Sequence, residues 1–284
     1  MEKKRYVLYG LAGYVANKHL QAIKDTGGNL IAATDPHDSV GLIDSYFPDC
    51  EFFTNESDFR LFCKHNKSDY AVICSPNYLH VSQAQYAMNC GCDVVCEKPV
   101  ALYPSDLDRL VSTEISTGKR VFTILQLRLN PVLQGLKCEL ESYGGYYEVD
   151  MQYHTPRGKW YHSSWKGNEN LSGGLATNIG VHLFDLCQWI WGPVQDIQLK
   201  TKTNTEVSGD LFLKQAHITF NLSINKLKVT RSIKIGNREI EFSKGFGNLH
   251  SLSYEQILKG NGFGLVDSLP SIVLCDKIRK LGTS

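Results

Sequence analysis

Gly10-Leu11-Ala12-Gly13-Tyr14-Val15-Ala16 follows a short apolar run, Arg5 to Tyr9, and leads into a stretch from Tyr14 to Thr26 that reads as a helix. A glycine-rich turn between strand and helix is where a parallel α/β sheet accepts a pyrophosphate. Small residues let the backbone approach, and the helix start offers free N–H groups at its positive end. The turn departs from G-x-G-x-x-G: Ala12 replaces the second glycine, and the third small residue is displaced to Ala16. Alone, it reads equally well as a tight turn without a ligand. Asp35 adds a second observation. It ends the next apolar run, Asn29 to Thr34, 25 positions after Gly10. A carboxylate there accepts both ribose hydroxyl hydrogens of an adenosine and repels a 2′-phosphate, so NAD is expected rather than NADP. Its competing role, ahead of Pro36, is to make a turn.

Working outward, the pattern repeats. Tyr70 to Cys74 ends in Ser75-Pro76-Asn77, and His80 to Cys90 has helical spacing. Asp93 to Cys96 ends in Glu97-Lys98-Pro99, Ser105 caps a helix to about Thr117, and Val121 to Leu125 is one more apolar run. Strands alternating with helices over short links imply a doubly wound parallel sheet, which binds ligands at the carboxyl ends of its strands. The candidate cofactor contacts are therefore Gly10, Ala12, Gly13, Tyr14, Val15, Asp35, Ser75, Pro76, Asn77, His80, Glu97 and Lys98.

After about Gln126 the rhythm changes. Tyr146 to Tyr153, Val194 to Thr203, Phe212 to Ile224, Lys228 to Ile235 and Arg238 to Phe242 alternate as long strands, and Asn237 fits a tight hairpin. Helices are expected at Ile179 to Ile190 and at about Leu265 to Leu281. The expected architecture is an α/β Rossmann domain at residues 1–125, plus an α+β domain with a large, mostly antiparallel sheet at residues 126–284. The second domain is expected to bind substrate, and the C-terminal helix is a candidate to return to the Rossmann domain.

The 284 residues are 42% hydrophobic and 21% charged, as expected of a chain with a real core. The formal net charge of +1 and the lack of a recognition motif argue against nucleic-acid binding. No apolar run is long enough to span a membrane. The basic start, Met1-Glu2-Lys3-Lys4-Arg5, precedes an apolar stretch that breaks at Gly10, so it reads as a first strand and not as a signal peptide. The nine cysteines are scattered through apolar segments, and Cys90 and Cys92 lack zinc-site spacing. Buried free thiols in a reducing cytoplasm, with no metal site, are expected.

Two stretches carry chemistry. Lys98, at a strand end before a stiffening proline, is placed to hydrogen-bond a substrate hydroxyl and aid loss of its proton. Asn178-Ile179-Gly180-Val181-His182-Leu183-Phe184-Asp185 follows Ser172-Gly173-Gly174. On one continuous helix, Asn178, His182 and Asp185 would share a face, and an imidazole so flanked suits a general base or acid near neutral pH. Taken alone, His182 is equally readable as a satisfied structural histidine. Arg128, Arg157, Lys159 and Lys166 lie among Trp160, Tyr161 and Trp165, a composition suited to a diphosphate, a carboxylate and a stacked sugar or uracil. A core or subunit contact is the competing reading of the aromatics. Cys187 reads as core, and His154 and His162 as surface or edge residues.

Glu97-Lys98-Pro99, together with a Gly-Gly…Asn-x-Gly-x-His-x-x-Asp segment, resembles the glucose-fructose oxidoreductase, inositol dehydrogenase and rhizopine-catabolism (Gfo/Idh/MocA) family over essentially the whole chain. The position of Asn178 is more often Asp in that family. The resemblance implies that Lys98 and His182 flank the reacting carbon of a sugar-like substrate, with Asn178 beside them. The turn at Gly10 to Ala16, Gln126-Leu127-Arg128, Arg157 to Tyr161, Ser164 to Gly167 and Glu239 to Ser243 are similar to one subgroup. Its members oxidise UDP-linked N-acetylamino-uronic acids at C3 in bacterial O-antigen (lipopolysaccharide) biosynthesis. This adds Gln126, Trp165 and Lys166 to the expected cofactor contacts. It assigns Lys98, Arg128, Arg157, Trp160, Tyr161, Asn178 and His182 to substrate. It further implies NAD as cofactor, a UDP-sugar substrate, a homotetramer and a downstream aminotransferase. The alternatives are another sugar dehydrogenase or keto-sugar-nucleotide reductase of the family, and a noncatalytic regulator that binds NAD or a sugar nucleotide.

Overall fold

The computed structural model describes residues 3–38, 40–243 and 247–282; Met1 and Glu2 of the basic start lie outside them. In chain order the first elements are β1 (Arg5–Tyr9), α1 (Ala16–Asp25), β2 (Asn29–Thr34), α2 (Val40–Tyr46), β3 (Glu51–Phe53), α3 (Glu56–His65), β4 (Tyr70–Ile73), α4 (His80–Asn89), β5 (Asp93–Cys96), α5 (Pro104–Thr117) and β6 (Val121–Thr123). There follow α6 (Pro131–Tyr143), β7 (Tyr147–His154), α7 (Trp160–Ser163), α8 (Glu169–Ser172), α9 (Gly174–Asn178), α10 (Val181–Trp191), β8 (Val194–Lys202), β9 (Glu206–Leu213), β10 (Ala216–Ser223), β11 (Thr230–Ile235), β12 (Arg238–Glu241), α11 (Leu249–Leu258) and α12 (Leu265–Lys280).

The first compact unit contains the described residues up to Ile124 together with residues 250–268. Its sheet is all parallel, in the order β3-β2-β1-β4-β5-β6. The order reverses between β1 and β4, and the carboxyl ends of those two strands flank the crevice where such sheets take a ligand. β4 is buried along its whole length and β5 nearly so, which is why both read as unbroken apolar runs. The segment between Pro36 and Asp69 contributes α2, β3 and α3, none of which the sequence pattern announces. β3 has three residues, none of them buried, too few to establish a period.

The second unit comprises residues 125–249 and those from 269 on. Its mostly antiparallel sheet runs β12-β11-β7-β10-β9-β8, with β7 and β10 as the one parallel pair. Alternation is clean. In β7, Val149, Met151 and Tyr153 are buried; in β10, Ala216, Ile218, Phe220 and Leu222 are. These residues join Leu183, Phe184, Leu186 and Ile190 of α10 in one core. The opposite face carries Glu148, Lys200, Asp210 and His217, linked by a Lys200–Asp210 ion pair and by hydrogen bonds from His217 to Glu148 and Asp210. The hairpin at Asn237 is as expected, with Ile235 paired to Arg238 across Gly236 and Asn237.

Three expectations change. The run from Phe212 to Ile224 is not one strand: the chain turns at Lys214 and Gln215, and β9 pairs antiparallel with β10. The first unit takes its late segment from α11, where Tyr254 and Ile257 enter the core of Tyr6, Leu8 and Val72. The C-terminal helix divides differently from the expected return: α12 counts with the second unit from Leu269 on, because Leu274, Cys275 and Ile278 pack into that core.

Candidate active site

In the first unit the turn after β1 is built by close approach. Gly10 has φ +84°, and a Cβ on it would lie 2.6 Å from the Ser75 backbone nitrogen. A Cβ on Gly13 would lie 2.9 Å from the Gly10 carbonyl. The bare turn is thus pressed against the end of β4, and α1 begins directly after it with Val15 at its N-cap. Ala12 and Tyr14 are exposed. Both oxygens of Asp35 accept backbone N–H groups at 2.9 Å, Oδ2 from Ala12 and Oδ1 from His37. The carboxylate therefore fixes the turn, and its remaining lone pairs are the ones open to ribose hydroxyls.

Ser75 is buried, and its hydroxyl donates to Gln83 Oε1 at 2.5 Å. Pro76 and the buried Asn77 follow, and His80 opens α4. His80 is 1% exposed, with its ring nitrogens 2.8 Å from the Ser75 carbonyl and 2.7 Å from the Pro99 carbonyl. A carbonyl only accepts, so the ring serves both when it carries two N–H groups, and burial works against that charge, lowering His80 from its ordinary value.

Glu97 is also turned inward. Its Oε1 accepts from His19 Nε2 at 3.0 Å and from His250 Nε2 at 2.9 Å, and His19 Nδ1 stands 2.8 Å from the Tyr254 hydroxyl. Burial by itself would raise the Glu97 carboxyl, but the two histidine hydrogen bonds outweigh it and hold it well below the ordinary carboxylate range. Burial pushes His19 down, so it is neutral: Nε2 donates to Glu97, and Nδ1 accepts from Tyr254. The sequence gives no sign of this cluster, because His250 is 153 positions from Glu97. Between these anchored groups Lys98 is half-buried, its backbone N–H donates to Glu97 Oε2 at 3.3 Å, and the Lys98–Pro99 peptide is cis.

In the second unit the segment around His182 is two helices, not one. α9 ends at Asn178 and α10 begins at Val181. The break falls at Ile179 and Gly180, where a Cβ on Gly180 would lie 2.5 Å from the Ala176 carbonyl and 2.7 Å from Leu222 Cδ2. The single helix expected to carry Asn178, His182 and Asp185 is therefore interrupted after Asn178. Asn178 instead donates its side-chain N–H to the buried Tyr161 hydroxyl at 2.9 Å. Asp185 takes Arg128, at 2.7 Å to Nη2 and 3.1 Å to Nε. Arg128, expected at substrate, is thus held within a buried ion pair. His182 is half-buried, and Gln126 likewise.

The basic and aromatic cluster is partly assembled. Lys166 Nζ lies 4.5 Å from the Trp165 ring centre and 5.6 Å from that of Trp160. Burial, and then the charge of Arg157, lower Lys166 from its ordinary value. Arg157 is exposed, and its guanidinium donates to the Pro156 carbonyl. Lys159 is exposed as well. Lys166 also borders a cavity of about 120 Å³ shared with Tyr161, Glu169, Lys202 and Arg279, too small for a sugar nucleotide. All nine cysteines are free thiols, and no helix among the described residues is long and apolar enough to cross a membrane.

The chain matches a family model described as an oxidoreductase family NAD-binding Rossmann fold over residues 4–125, and that family's C-terminal alpha/beta domain over residues 145–237. The WlbA (WbpB) dehydrogenase of Thermus thermophilus, solved with NAD and α-ketoglutarate, is 42% identical, with TM-score 0.96 over 99% of this chain and 96% of that one. A second structure of that enzyme holds NAD and UDP-GlcNAcA. The WlbA dehydrogenase of Bordetella pertussis, 24% identical with TM-score 0.83 over 98% of this chain and 95% of that one, shares the fold. Curated relatives match over shorter stretches. The 2,7-anhydro-N-acetylneuraminate hydratase of Mediterraneibacter gnavus is 24% identical over 75% of this chain, which spans 56% of its length. The D-glucoside 3-dehydrogenase of Escherichia coli is 27% identical over 44% of this chain, which spans 36% of its length.

Proposed function

Because the chain belongs to the Gfo/Idh/MocA oxidoreductase family, we propose that it is an NAD-dependent dehydrogenase that oxidises the C3 hydroxyl of a UDP-linked N-acetylamino-uronic acid to a 3-keto sugar nucleotide. The observation that carries this is full-length similarity, at 42% identity, to a dehydrogenase solved with NAD and, in a second structure, with UDP-GlcNAcA. The first unit fits a dinucleotide. Its turn is stripped of side chains at Gly10 and Gly13 where the strand order reverses, and Asp35 directly follows β2 at the same carboxyl edge of the sheet.

In this reading the backbone of Gly10, Ala12, Gly13, Tyr14 and Val15 holds the pyrophosphate, and Asp35 holds the adenosine ribose. Ser75, Pro76, Asn77, Gln126, Trp165 and Lys166 complete the cofactor contacts. Glu97 and His80, whose polar atoms are turned to protein partners, shape the loops that border the cofactor. Bound NAD supplies the acceptor for the C3 hydride. Lys98, in its neutral form, accepts the hydroxyl proton, and His182 and Asn178 hydrogen-bond the sugar. Arg157 meets the diphosphate or the uronate, and Trp160 stacks on the sugar or uracil. The polar outer face of the second sheet is the surface for a homotetramer. An aminotransferase consuming the ketone, and a cytoplasmic setting, complete the reading.

Incubation with NAD and a panel of UDP-sugars, following NADH absorbance, tests it. Turnover of UDP-GlcNAcA, with a product lighter by two hydrogens, is expected. Turnover of a different sugar nucleotide alone would reassign the substrate. Lys98→Met should bind both ligands and lose most turnover, and His182→Asn should lose less, since acid–base assistance contributes about 10²–10⁴-fold.

A further inference from the structure

Lys98 lies between two buried anchors that nothing in the assigned chemistry uses. On its N-terminal side the Glu97 carboxylate is gripped by His19 of α1 and His250 of α11, with Tyr254 behind His19. On its C-terminal side the Pro99 carbonyl meets His80 of α4, which also meets the Ser75 carbonyl at the end of β4. His19, His80 and His250 are 0%, 1% and 3% exposed. Core histidines and a buried carboxylate are costly features, and apolar residues would fill the same space more cheaply. What they supply here is direction. Three of these hydrogen bonds, from His19, His250 and His80 on three separate helices, fix the Glu97 carboxylate or the Pro99 carbonyl, one residue from Lys98.

We propose that His19, His250 and Tyr254, acting through Glu97, and His80, acting through Pro99, are positioning residues that hold the Lys98 segment in the geometry its proton-accepting step needs. The proposal rests on the reading that Lys98 takes the hydroxyl proton. The chemistry of the cluster is consistent with this role. His19 and His250 each donate an Nε2–H to the same carboxylate oxygen, and the Tyr254 hydroxyl satisfies the remaining His19 nitrogen. The other carboxylate oxygen accepts the Lys98 backbone N–H. A side chain that must meet a reacting atom tolerates little drift, since about 1 Å of misplacement costs on the order of 10²-fold in rate.

The test compares two substitutions at His250 in the full-length enzyme. Gln keeps an N–H donor near the position of Nε2, whereas Leu fills similar space without one. His250→Leu should lower kcat by about 10- to 100-fold, with KM for the sugar nucleotide and affinity for NAD nearly unchanged, and His250→Gln should recover most of the loss. Tyr254→Phe, which removes one hydroxyl and leaves the Glu97 bonds in place, guards against misfolding and should lose less in the same kcat-only pattern. Full kcat in a folded His250→Leu enzyme would overturn the proposal, as would equal losses in the Gln and Leu variants accompanied by loss of NAD binding. His19, Glu97 and His250 also bring ligand-type atoms within 4.8 Å of one another. Activity lost to a chelator and restored by Zn²⁺ would therefore replace the hydrogen-bonded clamp with a metal site. If Lys98→Met retains turnover, the underlying reading fails; if Lys98→Met is dead and His250→Leu is fully active, only the clamp fails.

Discussion

The carboxylate of Asp185 holds the guanidinium of Arg128 through two hydrogen bonds, at 2.7 and 3.1 Å, with both side chains buried. A pair of this kind is expensive to break from one side, because the remaining charge stays in the core. Arg128→Ala should cost about 3–5 kcal/mol of stability. The double variant Arg128→Met/Asp185→Leu should regain most of it. Urea unfolding of the parent, single and double variants measures this, and an unchanged midpoint in Arg128→Ala would show that the pair contributes nothing.

Asp35 has two tasks that one substitution separates. Its carboxylate accepts the N–H groups of Ala12 and His37, so Asp35→Ala should lower stability by about 1–3 kcal/mol through unsatisfied backbone donors. It should also weaken NAD binding, while binding of NADP, poor in the parent, should fall much less. Fluorescence titration with both cofactors, alongside thermal melting, distinguishes the two effects. Equal affinity of the parent for NAD and NADP would remove the ribose from Asp35's role.

Arg157 is exposed and adds its charge to the forces that hold Lys166 below its ordinary value. Arg157→Ala should weaken UDP-sugar binding about tenfold or more, at about 2 kcal/mol for a charge-assisted bond, and leave NAD binding nearly intact. The Lys166 pKa should rise when its neighbour's charge is gone. Calorimetry with UDP-sugar and with NAD reads the first effect, and normal UDP-sugar affinity would place the anion elsewhere.

Acid should destabilise the first unit in two stages. Burial lowers His19 and His80 from the ordinary 6.5, so between that value and their folded pKa the unfolded chain binds more protons, and stability falls as pH falls. Glu97 is held well below 4.5; its contribution is fully present above that value and drains away below it. Melting temperature measured from neutral to acid pH should decline from about pH 6.5 and drop more steeply below the carboxylate range. A curve flat down to pH 4.5 would contradict buried neutral histidines.

The parallel sheet was legible because β4 and β5 are apolar along nearly their whole length and each ends in a polar or glycine-rich turn. The stretch from Asn178 to Asp185 read as one helix, not two, for a physical reason. Side-chain spacing carries through a break that only backbone crowding at Gly180 reveals. Arg128 and Asp185 are 57 positions apart, and Glu97 and His250 are 153 apart. Local patterning holds no record of such pairings, so neither Arg128's ion pair nor His250's bond to Glu97 could be read from it. The cluster at Lys166 was readable, since its tryptophans lie within six positions of it.

The late return of α11 bears on biosynthesis. The first compact unit is written into the gene in two instalments, with most of the second between them. A ribosome that has released residues up to Ile124 has delivered every strand of the parallel sheet, yet the nascent sheet still lacks Tyr254 and Ile257 from its core and His250 from its buried carboxylate. The N-terminal half cannot finish folding co-translationally until roughly twice its own length has been made. A recombinant fragment cut at the apparent boundary near residue 125 should emerge as an open, aggregation-prone sheet, whereas one that splices 250–268 back on should be recoverable in solution.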